Sequence, residues 1–173
     1  MKDKILAIPL ISFLILMFLF SFYLYNYKGK TGELIYVGIP LSYSNMNPLF
    51  YNEQSALFLP KKKKYLLNVW ATWCLLCKAE HEFLNKLRAD GVIIIGLNYK
   101  DERQKAIDWL THYENPYLLN FLDQGSTVDI GLIIYSVPET FIIDQHGIIL
   151  YRYSGEINSS VWDSQLKAIF DDL

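Results

Sequence analysis

The stretch Asn68–Phe83, NVWATWCLLCKAEHEF, holds both cysteines of the chain, Cys74 and Cys77, with two residues between them. Just upstream, YLLNVW at Tyr65–Trp70 is short, apolar and β-prone, the pattern of a buried strand. From Cys74 onward, CLLCKAEHEFLNKLRAD is rich in helix formers and closes at Gly91, a helix stop. The pair therefore falls where a strand hands over to a helix.

Working outward, VIIIGLNY reads as a second buried strand, and DERQKAIDWLTHY as a helix with Ile107, Leu110 and Tyr113 near helical spacing. PYLLNFL is a third strand, whereas GSTVDIGLIIYS fits either a short helix or a loop. ETFIID and GIILYRY flank QHG, a hairpin signal. SSVWDSQLKAIFDDL ends the chain as a helix capped by Ser159 or Ser160, with Val161, Leu166, Ile169 and Phe170 on its apolar side. The order β-α-β-α-β-β-α predicts an α/β fold: a central mixed sheet flanked by helices on both faces, with an antiparallel edge from the late hairpin.

Composition bounds the rest. The 173 residues are 52% hydrophobic and 16% aromatic, ample for one packed domain plus something small. A net charge of -2 supplies no basic face for nucleic acid, so no nucleic-acid partner is expected. Ile5–Tyr27 carries no charged side chain and is long enough for a transmembrane helix, and its bulky end FYLYNY favours an uncleaved anchor over a signal peptide. Lysines on both sides leave the orientation open, but a short head with the whole domain behind it is most simply exported. The expected organisation is an anchor over 1–27, a linker and lead-in over 28–60, and the globular domain over 61–173. Lys61–Lys64 reads as a solvated loop ahead of a strand and is assigned no role.

Several chemistries could use two close cysteines. A structural disulfide gains stability from the loop it closes, and this one closes almost nothing. Zinc needs about four ligands, and beyond Cys74, Cys77 and His81 no second cysteine pair exists. A copper carrier would want a longer spacing, and covalent haem attachment needs His after the second cysteine, where Lys78 stands. Redox exchange fits best. At a helix start, free N–H groups and the dipole favour a thiolate on Cys74, the attacker, while Cys77 one turn deeper resolves the mixed disulfide. No cofactor is required.

Neighbours refine this reading. Glu80 lies on the same helical stripe as Cys77, Leu84 and Leu87, and a desolvated carboxylate there could exchange the proton that Cys77 must lose; the alternative is a Glu at the helix's solvated margin. Trp73, directly before Cys74, walls the sulfur. In SVPET, Pro138 precedes an apolar strand, and a cis bond after Val137 would set a tight turn beside the cysteines. Val137's backbone could then hold an extended substrate peptide by β-type hydrogen bonds. Glu139 is either a second acid near the sulfur or an ordinary strand-edge residue.

Together, LLNVWATWC, GLNYKDERQKAIDWL and SVPETFIIDQHGIILYRYSGEIN resemble the thioredoxin-like CcmG/DsbE family of membrane-anchored thiol:disulfide oxidoreductases, from about Tyr65 to the C-terminus. The resemblance implies a thioredoxin-like fold and a periplasm-facing reductant on the bacterial inner membrane. Its electron donor would be an inner-membrane protein of DsbD/CcdA type, and its acceptor apocytochrome c or a cytochrome-maturation thiol protein. It also implies Cys74 as nucleophile, Cys77 as resolving thiol, Glu80 and Glu139 as the acids near the site, and Pro138 as cis-proline. Between the cysteines this chain has Leu75-Leu76 where the family usually has Pro-Thr or a similar pair. Rival readings are a general exported disulfide reductase and a non-enzymatic module that holds thiol peptides beside Pro138.

Overall fold

The computed structural model describes residues 12–23, 38–41, 46–50, 60, 62–123 and 132–172. Met1–Leu34 and Ile35–Leu173 form two compact units. In the first, residues 12–23 form helix α1, its large apolar side chains exposed. Among the described residues no helix is long and apolar enough to cross a membrane. The remainder of the expected span, residues 5–11 and 24–27, lies outside the described residues, as does most of the 28–60 lead-in.

In the second unit, β1 (Asn47–Pro48), β2 (Tyr65–Trp70), β3 (Ile94–Tyr99), β4 (Leu119–Asp123), β5 (Glu139–Ile143) and β6 (Ile149–Ser154) form one sheet in the order β1-β4-β3-β2-β5-β6. β2, β3 and β4 run parallel, and β5, β6 and β1 join antiparallel. Every residue of β2 is buried, which explains a continuous apolar run instead of alternation: it is a central strand covered on both faces. Pro48, unable to donate to a ladder, sits on the edge.

Alternation along the strands divides the core. Leu66, Trp70, Ile94 and Ile142 face one cluster, and Leu67, Val69, Ile95, Leu97, Phe141 and Ile143 the other. Helix α2 (Leu75–Ala89) buries Cys77, Leu84 and Leu87 on the first face. Helix α3 (Arg103–His112) adds Ala106 and Leu110. Helix α4 comprises Ser159–Val161, a π-helical turn at Trp162–Leu166, and Lys167–Asp171, and adds Trp162, Leu166 and Phe170. All three described helices of this unit pack against the first cluster. Residues 125–131, the first part of the stretch left ambiguous above, lie outside the described residues, as does Gln124 before them.

Local chemistry sets the boundaries. α2 ends in a Schellman motif, with Gly91 at φ +89°, its N–H on the Arg88 carbonyl at 3.0 Å and the Val92 N–H on that of Leu87 at 3.0 Å. The cap of α4 is Asn158, whose side chain accepts from the Val161 N–H at 3.0 Å, instead of the predicted Ser159 or Ser160. Lys64 donates to the Phe170 and Asp171 carbonyls, so one lysine of the basic run caps the last helix. Gly96 in β3 is required by packing: a Cβ there would fall 2.5 Å from Asn120 Oδ1 and 2.9 Å from the Tyr117 ring. That space lets Tyr117 stack on Trp70 at 5.7 Å between centroids.

Candidate active site

The last residue of β2 and the first of α2 are separated by Ala71–Cys74, and this turn is clamped from the β3–α3 loop. Asp101 accepts from the Thr72 N–H at 2.6 Å, the Thr72 hydroxyl at 2.9 Å, the Asn98 side chain at 3.1 Å and the Glu102 N–H at 2.8 Å. The Trp73 indole N–H donates to the Lys100 carbonyl at 3.2 Å, which fixes an otherwise exposed ring. Asp101 escaped the reading from sequence. It looked like an acid opening α3, and only the parallel β2–β3 pairing brings it under the cysteine turn.

Cys74 is the N-cap of α2, with extended backbone, and its sulfur accepts from the Cys77 N–H at 3.0 Å. A sulfur in this position meets an orphan donor and the positive end of the helix dipole, the two features that favour a thiolate. The two sulfurs are joined as a disulfide, with Cα atoms 5.3 Å apart. Cys77 is the more enclosed, at 2% exposure against 6% for Cys74.

Glu80 lies one turn beyond Cys77 and is sealed at 1% exposure, so the solvated-margin alternative does not describe it. Its carboxylate accepts from the Asn68 side-chain amide at 2.9 Å and the Ile157 N–H at 3.0 Å. Asn68 is itself held by the Tyr117 hydroxyl, which donates to it at 2.8 Å, and donates to the Thr140 hydroxyl at 3.0 Å. Every partner is neutral. Burial therefore dominates and pushes the Glu80 pKa up to about 8, the two hydrogen bonds opposing it and nearby Glu156 adding to it. Asn68 could not be singled out from sequence, because an Asn inside YLLNVW has no periodicity to reveal its use.

Beside the sulfurs, the Val137-Pro138 bond is cis, as the sequence predicted, and the Val137 carbonyl oxygen is 3.5 Å from Cys74 Sγ. Pro138's own carbonyl is engaged by the Gly155 N–H at 3.0 Å. Among the described residues no backbone hydrogen bond uses the Val137 N–H. Trp73, Cys74, Cys77, Val137 and Pro138 thus meet at one end of the sheet.

Glu139 does not join the group around Glu80. It shares with Phe141 the opposite face of β5, where its carboxylate meets the Arg152 guanidinium at 2.5 Å. The same oxygen accepts from the Ser136 N–H at 3.0 Å, the Ser136 hydroxyl at 3.1 Å and the Ser154 hydroxyl at 3.3 Å. Glu139 therefore ties down the loop that carries Val137, and it is buried instead of lying at a solvated strand edge. Arg152 also lies over the Tyr135 ring at 4.8 Å. His81, weighed as a metal ligand, donates through Nε2–H to the Tyr113 and Glu114 carbonyls at 2.9 and 2.8 Å, closing the end of α3; burial lowers its pKa.

Comparison with known proteins agrees with this geometry. Residues 52–169 match the redoxin family. The chain is 45% identical to the thiol:disulfide interchange protein DsbE of Haemophilus influenzae, covering 100% of this chain and 98% of that protein. It is 42% identical to DsbE of Escherichia coli K12, covering 99% and 96%. In fold it is similar to a secreted thiol-disulfide isomerase from Corynebacterium glutamicum, with TM-score 0.59, 21% identity, and coverage of 82% of this chain and 93% of that one. With a cysteine pair at the start of a helix on a mixed sheet and this identity along its whole length, the chain belongs to the redoxin family and, within it, to the DsbE thiol:disulfide interchange proteins.

Proposed function

We propose that the chain is a membrane-anchored, periplasm-facing reductant that delivers electrons to oxidised cysteine pairs during c-type cytochrome maturation. The observation that carries the exchange chemistry is the Cys74 sulfur capping α2 and accepting the Cys77 N–H, with Cys77 enclosed behind it. In the reduced protein the Cys74 thiolate attacks a partner disulfide. One partner sulfur leaves as a thiolate and takes a proton, and a mixed disulfide forms at Cys74. Cys77 then loses its proton, attacks Cys74, and expels the second partner thiolate, which is protonated in turn. The partner gains two electrons and two protons, and the chain is left with the Cys74–Cys77 bond.

Glu80 serves the second step. Its pKa of about 8 leaves both protonation forms populated near neutral pH, so it can accept the Cys77 proton and return one. Val137 offers its N–H to an extended partner chain, Pro138 shapes the turn and Trp73 walls the sulfur, while Glu139 positions their loop through Ser136.

The location and partners follow from the sequence and the family. Ile5–Tyr27 anchors the chain, with 28–60 as linker and 61–173 as the periplasmic domain. Reduction comes from an inner-membrane donor of DsbD/CcdA type, and the acceptor is apocytochrome c or a thiol protein that serves it. In cells carrying Cys74→Ser, covalently haem-bound cytochrome c is expected to be lost and to return when a membrane-permeant dithiol is added. Normal cytochrome levels in that strain would favour the general exported reductase. Full activity of purified Cys74→Ala in peptide handling would favour the non-enzymatic module.

A further inference from the structure

Leu75 and Leu76 occupy the first turn of α2, between the sulfurs, and point largely to water: 81% and 48% exposed, with Trp73 beside them at 59%. Scattered exposed apolar residues are ordinary. Here three large ones flank a reactive sulfur within four consecutive positions, and nothing in the cap requires them. We propose that Trp73, Leu75 and Leu76 form an apolar ledge that selects partner polypeptides with apolar side chains next to the reacting cysteine. This rests on the exchange reading above.

What covers the ledge is dictated by the chemistry of exchange. A partner sulfur must reach Cys74 Sγ, and each flanking partner residue is only about 3.8 Å along the chain from the reacting one. Those flanking side chains therefore fall on the residues one and two positions from Cys74. The run Ala71–Leu76 carries no charge. Of the lysines close in sequence or bonded to Trp73 through their backbone, Lys78 lies over the Tyr113 ring at 5.1 Å and Lys100 over the Tyr99 ring at 4.8 Å. A charged flank would lose hydration here without gaining a counter-ion, while an apolar flank would cover exposed Leu and Trp surface.

The test uses the reduced full-length protein in detergent and two disulfide-containing peptides with the same cysteine spacing, one with Leu and Val beside the cysteines and one with Glu. Wild type is expected to favour the apolar peptide about tenfold in kcat/KM, equivalent to about 1.4 kcal/mol. In Leu75→Thr/Leu76→Thr the ratio should fall to within about twofold, and in Leu75→Met/Leu76→Met it should return. Using a ratio cancels any change in the intrinsic reactivity of Cys74. A wild-type ratio near one, or a preference kept by the Thr variant, overturns the ledge. Failure of the reduced wild type to reduce either peptide would instead overturn the exchange reading.

Discussion

Glu80 and Glu139 are both carboxylates sealed from water within the same end of the sheet, and their surroundings could hardly differ more. On the helix-covered face Glu80 is met only by neutral donors, the Asn68 amide and the Ile157 N–H. On the other face Glu139 is met by the Arg152 guanidinium and by Ser136 and Ser154. A buried carboxylate without a counter-charge holds its proton more tightly, which equips it to trade protons. One locked to a guanidinium is a structural ion pair, and its strength appears when a partner is removed. The same residue type, buried alike, is thus equipped for proton transfer on one face, as we propose, and tied to an arginine and two serines on the other.

The sharpest way to break this contrast is Arg152→Met. It leaves the Glu139 carboxylate buried without its partner, and a loss of about 3–5 kcal/mol is expected in urea unfolding. Adding Glu139→Gln to the same chain should recover much of it. A loss below about 1 kcal/mol in Arg152→Met would mean that the pair does not hold the loop. Next in size, Glu80→Gln is expected to slow reduction of a peptide disulfide by about 10- to 100-fold near pH 7 and to erase the limb of the pH–rate profile near pH 8. Glu139→Gln should leave that limb in place, and a shared effect would erase the distinction.

Stability should separate them as well. Burial holds the Glu80 proton more tightly in the folded chain than in the unfolded one, whose value is near 4.5. Its contribution is therefore full below about pH 4.5 and is lost as pH rises through about 8. The oxidised wild type should become less stable over that window by up to about 5 kcal/mol, with a flatter profile in Glu80→Gln, both read from urea midpoints. The smallest effect is expected for Thr140→Val, which removes one neutral hydrogen bond from Asn68 and should cost about 1 kcal/mol.

Much of this was legible in the sequence because it depends on short-range periodicity. Tyr65–Trp70 as a central strand, the helix beginning at the cysteines, its stop at Gly91 and the burial of Glu80 beside Cys77 all follow from local pattern. What escaped depends on pairings across the chain. Arg152 meets Glu139 only because β6 returns beside β5 in a particular register, with Arg152 opposite Phe141. Asp101 reaches Thr72 only because β3 runs parallel to β2. The α4 cap was misplaced by one or two residues because Asn158, Ser159 and Ser160 are all good caps, and backbone geometry chooses among them.

We propose that the helix start makes Cys74 the ionised, accessible sulfur while Cys77 waits behind it. The direct measurement is the pH dependence of alkylation in the reduced full-length protein, followed at each cysteine by mass spectrometry of peptides. Cys74 is expected to react first, with an apparent pKa well below the free-cysteine value of about 8.5, while Cys77 stays largely unmodified in the same interval. Preferential alkylation of Cys77, or both sulfurs titrating together near 8.5, would contradict the account.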